Sequence, residues 1–359
     1  MVAGNVPLTV AIDARLIGAQ GTGDSTYWEG LLHGLTGLDD STQFLLFSNA
    51  PKPREIPNSD RFHWVFLPGS NRWFSLVRFP LAAKRLGAHL MHTQYNLSPL
   101  AGRRGITTIH DVSFLIEPTW FQPKDRFLLT KFVPRAAKRA AKVITVSNTS
   151  KAEIEHLIPA ARGKTVAIYN AAGLARRRVE ASDCEPMLKE LGITKPFLLT
   201  VGTRWPRKNM ALVIEACKGL ETLLVIAGKS GWGPEELGTN VVATGYVGED
   251  HLNALYSSAS VYLAPSKHEG FGVPILEAFR CGCPVICSSG GAFPEVAGSA
   301  AMVMKSWEPK DWTEAIHKAL SSSSNLEAMR QAGFEREREF SWTRSAREHL
   351  AIYREVSSL

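Results

Sequence analysis

No apolar run in this 359-residue chain approaches the ~18–20 residues that span a bilayer. The longest, such as Leu223–Ala227 and Val261–Pro265, stop well short, so no membrane-spanning helix is expected. Met1–Ile17 has no basic stretch ahead of its apolar one, and Asp13 and Arg15 interrupt it. No secretory signal is expected either. Cysteine is sparse and odd in number: Cys184, Cys217, Cys281, Cys283 and Cys287. That count fits reduced thiols in a cytosol rather than a disulfide framework. Cys281, Cys283 and Cys287 lie close together but lack the paired C-x2-C knuckles of zinc sites. The surrounding "RCGCPVICSS" reads as a helix end and a buried strand, so these are structural cysteines and no metal is assigned. No internal repeat with a period of about 20–50 residues is visible. Disorder is excluded by a composition of 45% hydrophobic, 9% aromatic and 21% charged residues.

Positive charge is in excess, and unevenly placed. The net charge is +7; residues 1–170 hold 20 Lys/Arg against 12 Asp/Glu, and residues 171–359 balance at −1. The basic character belongs to the first half.

Short runs rich in Val, Ile and Leu recur with helical stretches between them. They include Leu8–Asp13, Thr107–His110, Phe197–Val201, Leu223–Ala227, Val241–Thr244 and Val261–Ala264. Most are apolar on both faces, as parallel strands covered by crossover helices are. The expected class is α/β, with two doubly wound Rossmann-like domains facing a central cleft. The boundary falls between about Asn170 and Pro196, in a locally polar, charged stretch. The division expected is 1–175, 176–341, and a closing amphipathic helix over 342–359 that packs back on the first domain.

Three stretches carry chemistry. In "AIDARLIGAQGTGDSTYWEG" a Gly-rich turn holding Gly21 and Gly23 feeds a helix, a natural anion site. It lacks the G-x-G-x-x-G spacing, so a dinucleotide fingerprint is unsupported. In "TVGTRWPRKNMALVIEAC" the cations Arg204, Arg207 and Lys208 stand between a strand end and a helix start, which suits a diphosphate. In "APSKHEGFGVPILEAF" a loop carries Glu269, Gly270, Phe271 and Gly272, and Pro274 opens a helix containing Glu277. The plain alternatives are a strand–helix connection, a solvated basic turn and ordinary surface acids.

With the "PRKN" loop, the E-x7-E spacing in "HEGFGVPILE" and the run "GGAFPEVAGSAA", the chain resembles glycosyltransferase family 4, retaining enzymes of GT-B fold. The likeness extends over "TIHDVSF", "VITVSNTSKAEI", "YNAAG", "TGYV" and "FSWTRSA", in order. The resemblance implies that Glu277 binds the ribose and Glu269 lies against the donor sugar. It implies that the backbone of Gly270, Phe271 and Gly272 holds sugar hydroxyls, and that Lys208 neutralises the donor diphosphate. Either Arg204 or Arg207 is the arginine partner, with Arg204 favoured. Tyr246 and Val247 stand where the base is contacted. His110 matches a histidine facing the donor sugar, as a positioning group, and Gly21–Gly23 approach the diphosphate and acceptor.

The reaction implied is retaining transfer of a hexosyl group, mannosyl as first choice, from a nucleotide-diphosphate sugar to a glycan or lipid-linked acceptor. GDP-mannose is the first donor considered and a UDP-sugar the second. The cations stand in for a divalent metal, so no cofactor is expected. Basic residues mixed with aromatics in "NRWFSLVRFPLAAKRLG" and "KFVPRAAKRAAK" suit an anionic membrane surface, read as one helix around Trp73–Arg85. The implied place is the cytoplasm, peripheral at the inner face of the membrane, with no nucleic-acid partner. A sugar-nucleotide 2-epimerase and a non-catalytic two-lobe binding protein are the competing classes. Release of free nucleoside diphosphate separates them.

Overall fold

The structure is a computed structural model that describes residues 7–18, 23–231 and 237–359, the side chain of Arg72 excepted. Gly21 therefore lies outside the described residues. The chain divides into two compact units. The first takes in residues up to Asn170 together with Ser341–Leu359, and the second is Ala171–Phe340.

Among the described residues, the first unit is built on seven parallel strands: β1 Thr9–Asp13, β2 Gln43–Ser48, β3 Phe62–Phe66, β4 Leu90–Gln94, β5 Gly105–Thr108, β6 Lys142–Thr145 and β7 Thr165–Ala167. Their order is β3-β2-β1-β4-β5-β6-β7. Successive side chains of one strand enter two different cores. Val10 and Ile12 of β1 join a cluster with Trp28, Leu31 and Tyr353, while Ala11 joins one with Phe47, Phe74 and Phe79. Burial on both faces is what makes these strands continuous apolar runs.

Among its described residues the second unit has six parallel strands: β8 Phe197–Val201, β9 Leu223–Ala227, β10 Val241–Gly245, β11 Val261–Ala264, β12 Val285–Ser288 and β13 Met302–Met304. The order is β10-β9-β8-β11-β12-β13. Strand order reverses between β8 and β11, and in the first unit between β1 and β4. Ligands of open α/β sheets bind outside the carboxyl ends of the strands at such reversals.

The closing helix, Trp342–Ser357, belongs to the first unit and packs on the helix Gly23–Thr36. Gly30 and Gly34 make the approach possible, because a Cβ at either position would overlap Trp342. Beneath this contact runs a buried polar chain. His349 Nδ1 lies 2.8 Å from the Ser345 carbonyl, which can only accept, so Nδ1 carries the proton. His349 Nε2 then accepts from the Tyr27 hydroxyl at 2.7 Å. Tyr27 accepts in turn from Thr108 Oγ1 at 2.8 Å. Thr108 accepts from His92 Nε2 at 2.8 Å, and His92 Nδ1 accepts from the Tyr353 hydroxyl at 2.7 Å. One carbonyl thus orders every proton, while burial keeps both imidazoles neutral. Burial lowers His349 to about 4 and pushes His92 well below its ordinary range.

The unfolded chain binds these protons at about pH 6.5 and the folded one does not. Stability is therefore whole above pH 6.5 and is lost as pH falls toward 4. His349 alone accounts for a loss of about 2–3 kcal/mol by pH 4.5. Denaturant midpoints at pH 7 and pH 4.5 check this. His349→Gln should flatten the pH dependence, and an unchanged slope in that variant would contradict the assignment.

Candidate active site

The reversal between β8 and β11 is where the second unit assembles its charged groups. β8 ends in Val201 and its chain leaves through Gly202, at φ +136. That backbone region excludes a β-carbon, and Gly228 after β9 leaves room for the Gly202 carbonyl. The turn Pro206–Lys208 follows, then a left-handed Asn209 starts the helix Met210–Ala216. β11 ends in Ala264, and its loop runs to Gly272, at φ +111, which starts the helix Val273–Arg280. A third loop supports the second. A Cβ at Gly290 would overlap the Ser266 and Lys267 carbonyls, and one at Gly291 the Glu269 backbone. Ala292 N–H donates to the Glu269 carbonyl at 2.8 Å.

The first two loops are laced together. Lys267 N–H donates to the Arg207 carbonyl at 2.8 Å, and Arg207 Nη1 donates to the His268 carbonyl at 2.7 Å. Glu269 then closes on both cations, 3.0 Å from Arg207 Nη1 and 2.7 Å from Lys208 Nζ. Burial alone would raise the Glu269 carboxyl, but Arg207 and Lys208 hold it at about 2. Arg204 takes another direction, its Nη2 donating to Ser230 Oγ at 2.8 Å. The geometry joins Arg207 rather than Arg204 to Lys208 and Glu269.

Glu277 sits one turn into the helix Val273–Arg280. It accepts from the Tyr256 hydroxyl at 3.3 Å and lies 3.4 Å from Arg176 Nε. Burial raises its carboxyl above the ordinary range, against the opposing pull of Arg176 and Tyr256. Arg176 was not apparent from sequence. It is 5% exposed, donates to Asn253 Oδ1 at 2.7 Å and pairs with Glu249. Three consecutive arginines stand at 176–178, and nothing in their spacing marks the first as the buried one. Phe271 is buried against Phe340, so it supports the loop by its ring, while Gly270 is buried beside it. Tyr246 and half-buried Val247 follow β10 at the edge of the sheet. The Tyr246 ring is 48% exposed, with Lys229 Nζ 5.5 Å from its centre.

In the first unit, β5 ends at Thr108, two residues earlier than the strand Thr107–His110 expected from sequence. His110 thereby lies in the loop beyond the strand. Its Nε2 is 3.3 Å from Asp24 Oδ1 and 3.0 Å from Gln94 Nε2. Its ring meets Tyr27 edge-on at 4.9 Å. Burial lowers the imidazole, with Asp24 and Asp111 opposing. Gly23 begins the helix that carries Asp24 and is exposed. All five cysteines are buried and free. Burial pushes the Cys217, Cys281 and Cys287 thiols up to about 12, so they are inert.

Known proteins resemble the chain across both units. Residues 23–176 match glycosyltransferase family 4, and residues 185–336 match the group 1 glycosyl transferases. The chain is 32% identical over 270 residues to O-antigen chain mannosyltransferase B of Escherichia coli, covering 70% of each chain. It is 30% identical over 240 residues to O-antigen chain mannosyltransferase RfbU of Salmonella typhimurium, covering 63% of this chain and 64% of that one. Among solved structures, sucrose-phosphate synthase from Thermosynechococcus elongatus superposes with a TM-score of 0.76 at 19% identity, over 98% of this chain and 99% of that one. Anabaena HepE, in complex with UDP and glucose, superposes with a TM-score of 0.71 at 16% identity, over 98% and 100%. The two doubly wound units are those of the GT-B fold, and the chain belongs to the family 4, group 1 glycosyltransferases.

Proposed function

We propose that the chain is a retaining mannosyltransferase that moves the sugar of a nucleotide-diphosphate donor, GDP-mannose first and a UDP-sugar second, to a glycan or lipid-linked glycan. The observation that carries the reading is the cluster of Glu269 with Arg207 and Lys208 at the strand reversal of the second unit. A carboxylate held at about 2 marks a place of strong positive potential. An arriving diphosphate competes with Glu269 for the two cations. As the sugar–oxygen bond breaks, negative charge grows on the departing diphosphate, and Arg207 and Lys208 stabilise it more than they stabilise the bound donor. Glu269, released from them, faces the sugar carbon as that carbon becomes oxocarbenium-like. The acceptor hydroxyl attacks on the face the diphosphate leaves and gives its proton to a diphosphate oxygen, so the anomeric configuration is kept. Glu277 accepts from the ribose diol, and Tyr246 and Val247 meet the base. The two cations serve where other enzymes use a divalent metal.

A panel of UDP, GDP, dTDP and ADP in a thermal-shift assay tests the donor reading. Ligand at 100 times its Kd stabilises by about 2.7 kcal/mol. GDP should give the largest shift, and EDTA should leave it unchanged. No shift with any of the four would remove the second unit as a donor site.

The relatives are O-antigen chain mannosyltransferases, which supports a glycan acceptor; a lipid-linked one would place the enzyme at the inner face of a membrane. Among the described residues no helix is long and apolar enough to cross a membrane. The single helix expected around Trp73–Arg85 is broken by a π turn, Phe74–Arg78, and Phe74 and Phe79 point into the core. Trp73 and Leu81 remain outside. The helix Pro123–Arg139 exposes more: Phe127, Leu128 and Phe132 stand among the exposed Lys124, Arg126 and Lys131. Apolar rings interleaved with cations suit anionic lipid. Changing Lys124, Arg126 and Lys131 to Glu should abolish low-salt co-sedimentation with anionic vesicles. Equal recovery of the unaltered protein with neutral vesicles would contradict the reading.

A further inference from the structure

The first residues of the second unit fold around Glu277. A Cβ at Gly173 would stand 2.6 Å from Glu277 Oε1, so glycine lets the carboxylate lie against this turn. The Gly173 N–H donates to that carboxylate. Its carbonyl accepts from the Arg176 N–H at 3.0 Å and from Arg280 Nη1 at 3.2 Å. The same turn delivers the buried side chain of Arg176.

The guanidinium is fixed from its far side. Nη1 donates to Asn253 Oδ1 at 2.7 Å and to the Glu249 carbonyl at 3.2 Å, and Nη2 pairs with the Glu249 carboxylate. Asn253 is itself held, its Nδ2 donating to the Ala175 carbonyl at 3.0 Å. These contacts tie Arg176 to the helix Glu249–Ser258 and leave Nε 3.4 Å from Glu277 Oε1. Nε makes no hydrogen bond among the described residues.

A buried charge needs a counter-charge, and the one that loses most without Arg176 is Glu277. The Glu249 side chain is 59% exposed, where an ion pair contributes little. The Glu277 side chain is 13% exposed, and without its cation it would be a buried charge left uncompensated. The other groups that face it cannot take over. Tyr256, 3.3 Å away, and Tyr262 of β11 are neutral, because burial pushes both phenols well above their ordinary range. The Cys281 thiol, pushed up to about 12, is neutral as well. Arg280 gives Nε and Nη2 to Glu337 and Nη1 to the Gly173 carbonyl.

A carboxylate offers about four acceptor sites. The long contacts from Tyr256 and Arg176 leave some of them open, as a diol requires. Protonation would turn one acceptor into a donor. We propose that Arg176 is a positioning residue for donor binding, keeping the Glu277 carboxylate charged and seated against the Gly173 turn so that it accepts from the ribose diol. That Glu277 meets the ribose rests on the donor-site reading. That Arg176 governs its charge and place rests on these contacts.

Burial raises the Glu277 carboxyl and Arg176 opposes the rise. Donor affinity should therefore fall as pH falls and Glu277 takes up a proton. In Arg176→Gln the fall should begin at a higher pH. Calorimetry with GDP-mannose between about pH 5.5 and 8.5 reads it, because a diphosphate esterified at both ends keeps its charge over that range. The ratio of affinities at the two ends should be about tenfold larger in Arg176→Gln than in the unaltered chain. Arg176→Lys keeps the charge and should recover most of the difference. Glu277→Gln cannot titrate and should remove the acid loss, with or without Arg176→Gln. Carbon-13 NMR of the glutamate carboxyls follows the same proton without a ligand, the Glu277 signal being the one that Glu277→Gln lacks. Its midpoint should rise in Arg176→Gln. An unmoved midpoint, with affinity lowered equally at every pH, would make Arg176 a structural residue and overturn the proposal. If Arg176→Gln fails to fold, adding Glu277→Gln should restore folding by removing the stranded charge, and failure of that rescue would also overturn it. No binding of GDP-mannose by the unaltered chain would count against the donor reading, and the carboxyl titration would still decide the part of Arg176.

Discussion

Lys208→Ala is expected to lower kcat by about 10²–10³-fold, with a much smaller rise in the donor KM. Lys208 Nζ is 2.7 Å from Glu269, and in the proposed reaction the diphosphate takes the place of that carboxylate. Donor binding exchanges one anionic partner for another, and the gain in the ground state is small. The gain grows when charge accumulates on the leaving diphosphate, which is when a fixed cation matters most. Arg207→Ala should follow Lys208→Ala in direction, because Arg207 shares Glu269 with it. Arg204→Ala should have far less effect, because its guanidinium is directed at Ser230. Steady-state kinetics on the three variants decide the matter. A rise in KM with kcat unchanged in Lys208→Ala would mean that the lysine holds only the ground state.

Glu277→Ala should weaken donor binding by about 10–100-fold, the range for loss of a charge-assisted hydrogen bond of about 1.5–3 kcal/mol. Arg176 keeps Asn253 and Glu249 as partners after the change, so the buried cation is not stranded and the unit should stay folded. Glu277→Gln preserves the shape and one acceptor, and should recover part of the affinity. Calorimetry with the nucleoside diphosphate measures both. Unchanged affinity in Glu277→Ala would remove Glu277 from the ribose.

Sequence and structure part company where three dimensions decide. β8, β9 and β11 were legible to the residue, because each is a run of Val, Ile and Leu bounded by turn residues and buried on both faces. β13 was not, because Met302–Met304 is only three residues long and half-buried. The stretch Trp73–Arg85 has the composition of one amphipathic helix. Phe74 and Phe79 are five apart, however, a spacing that 3.6 residues per turn cannot keep on one face. The π turn brings them together, with Phe79 N–H bonded to the Phe74 carbonyl and the rings stacked 6.3 Å apart. At the strand reversal of the second unit, the ion pair of Glu269 with Lys208 joins residues that stand in contiguous motifs. That Arg207 rather than Arg204 meets Glu269 turns on the path of a short loop, and Arg176 lies outside both motifs.

In the proposed reaction a sugar passes from a nucleotide-diphosphate donor to an acceptor hydroxyl with retention, through Arg207 and Lys208. The most direct measurement is NMR of the products formed from GDP-mannose, labelled at the anomeric carbon, and an oligomannoside acceptor, with EDTA present. The expected result is an α-linked extended glycan and free GDP in equal amounts, both formed about 10²–10³-fold more slowly in Lys208→Ala. A β-linked product, or an isomerised sugar still attached to its nucleotide, would contradict it.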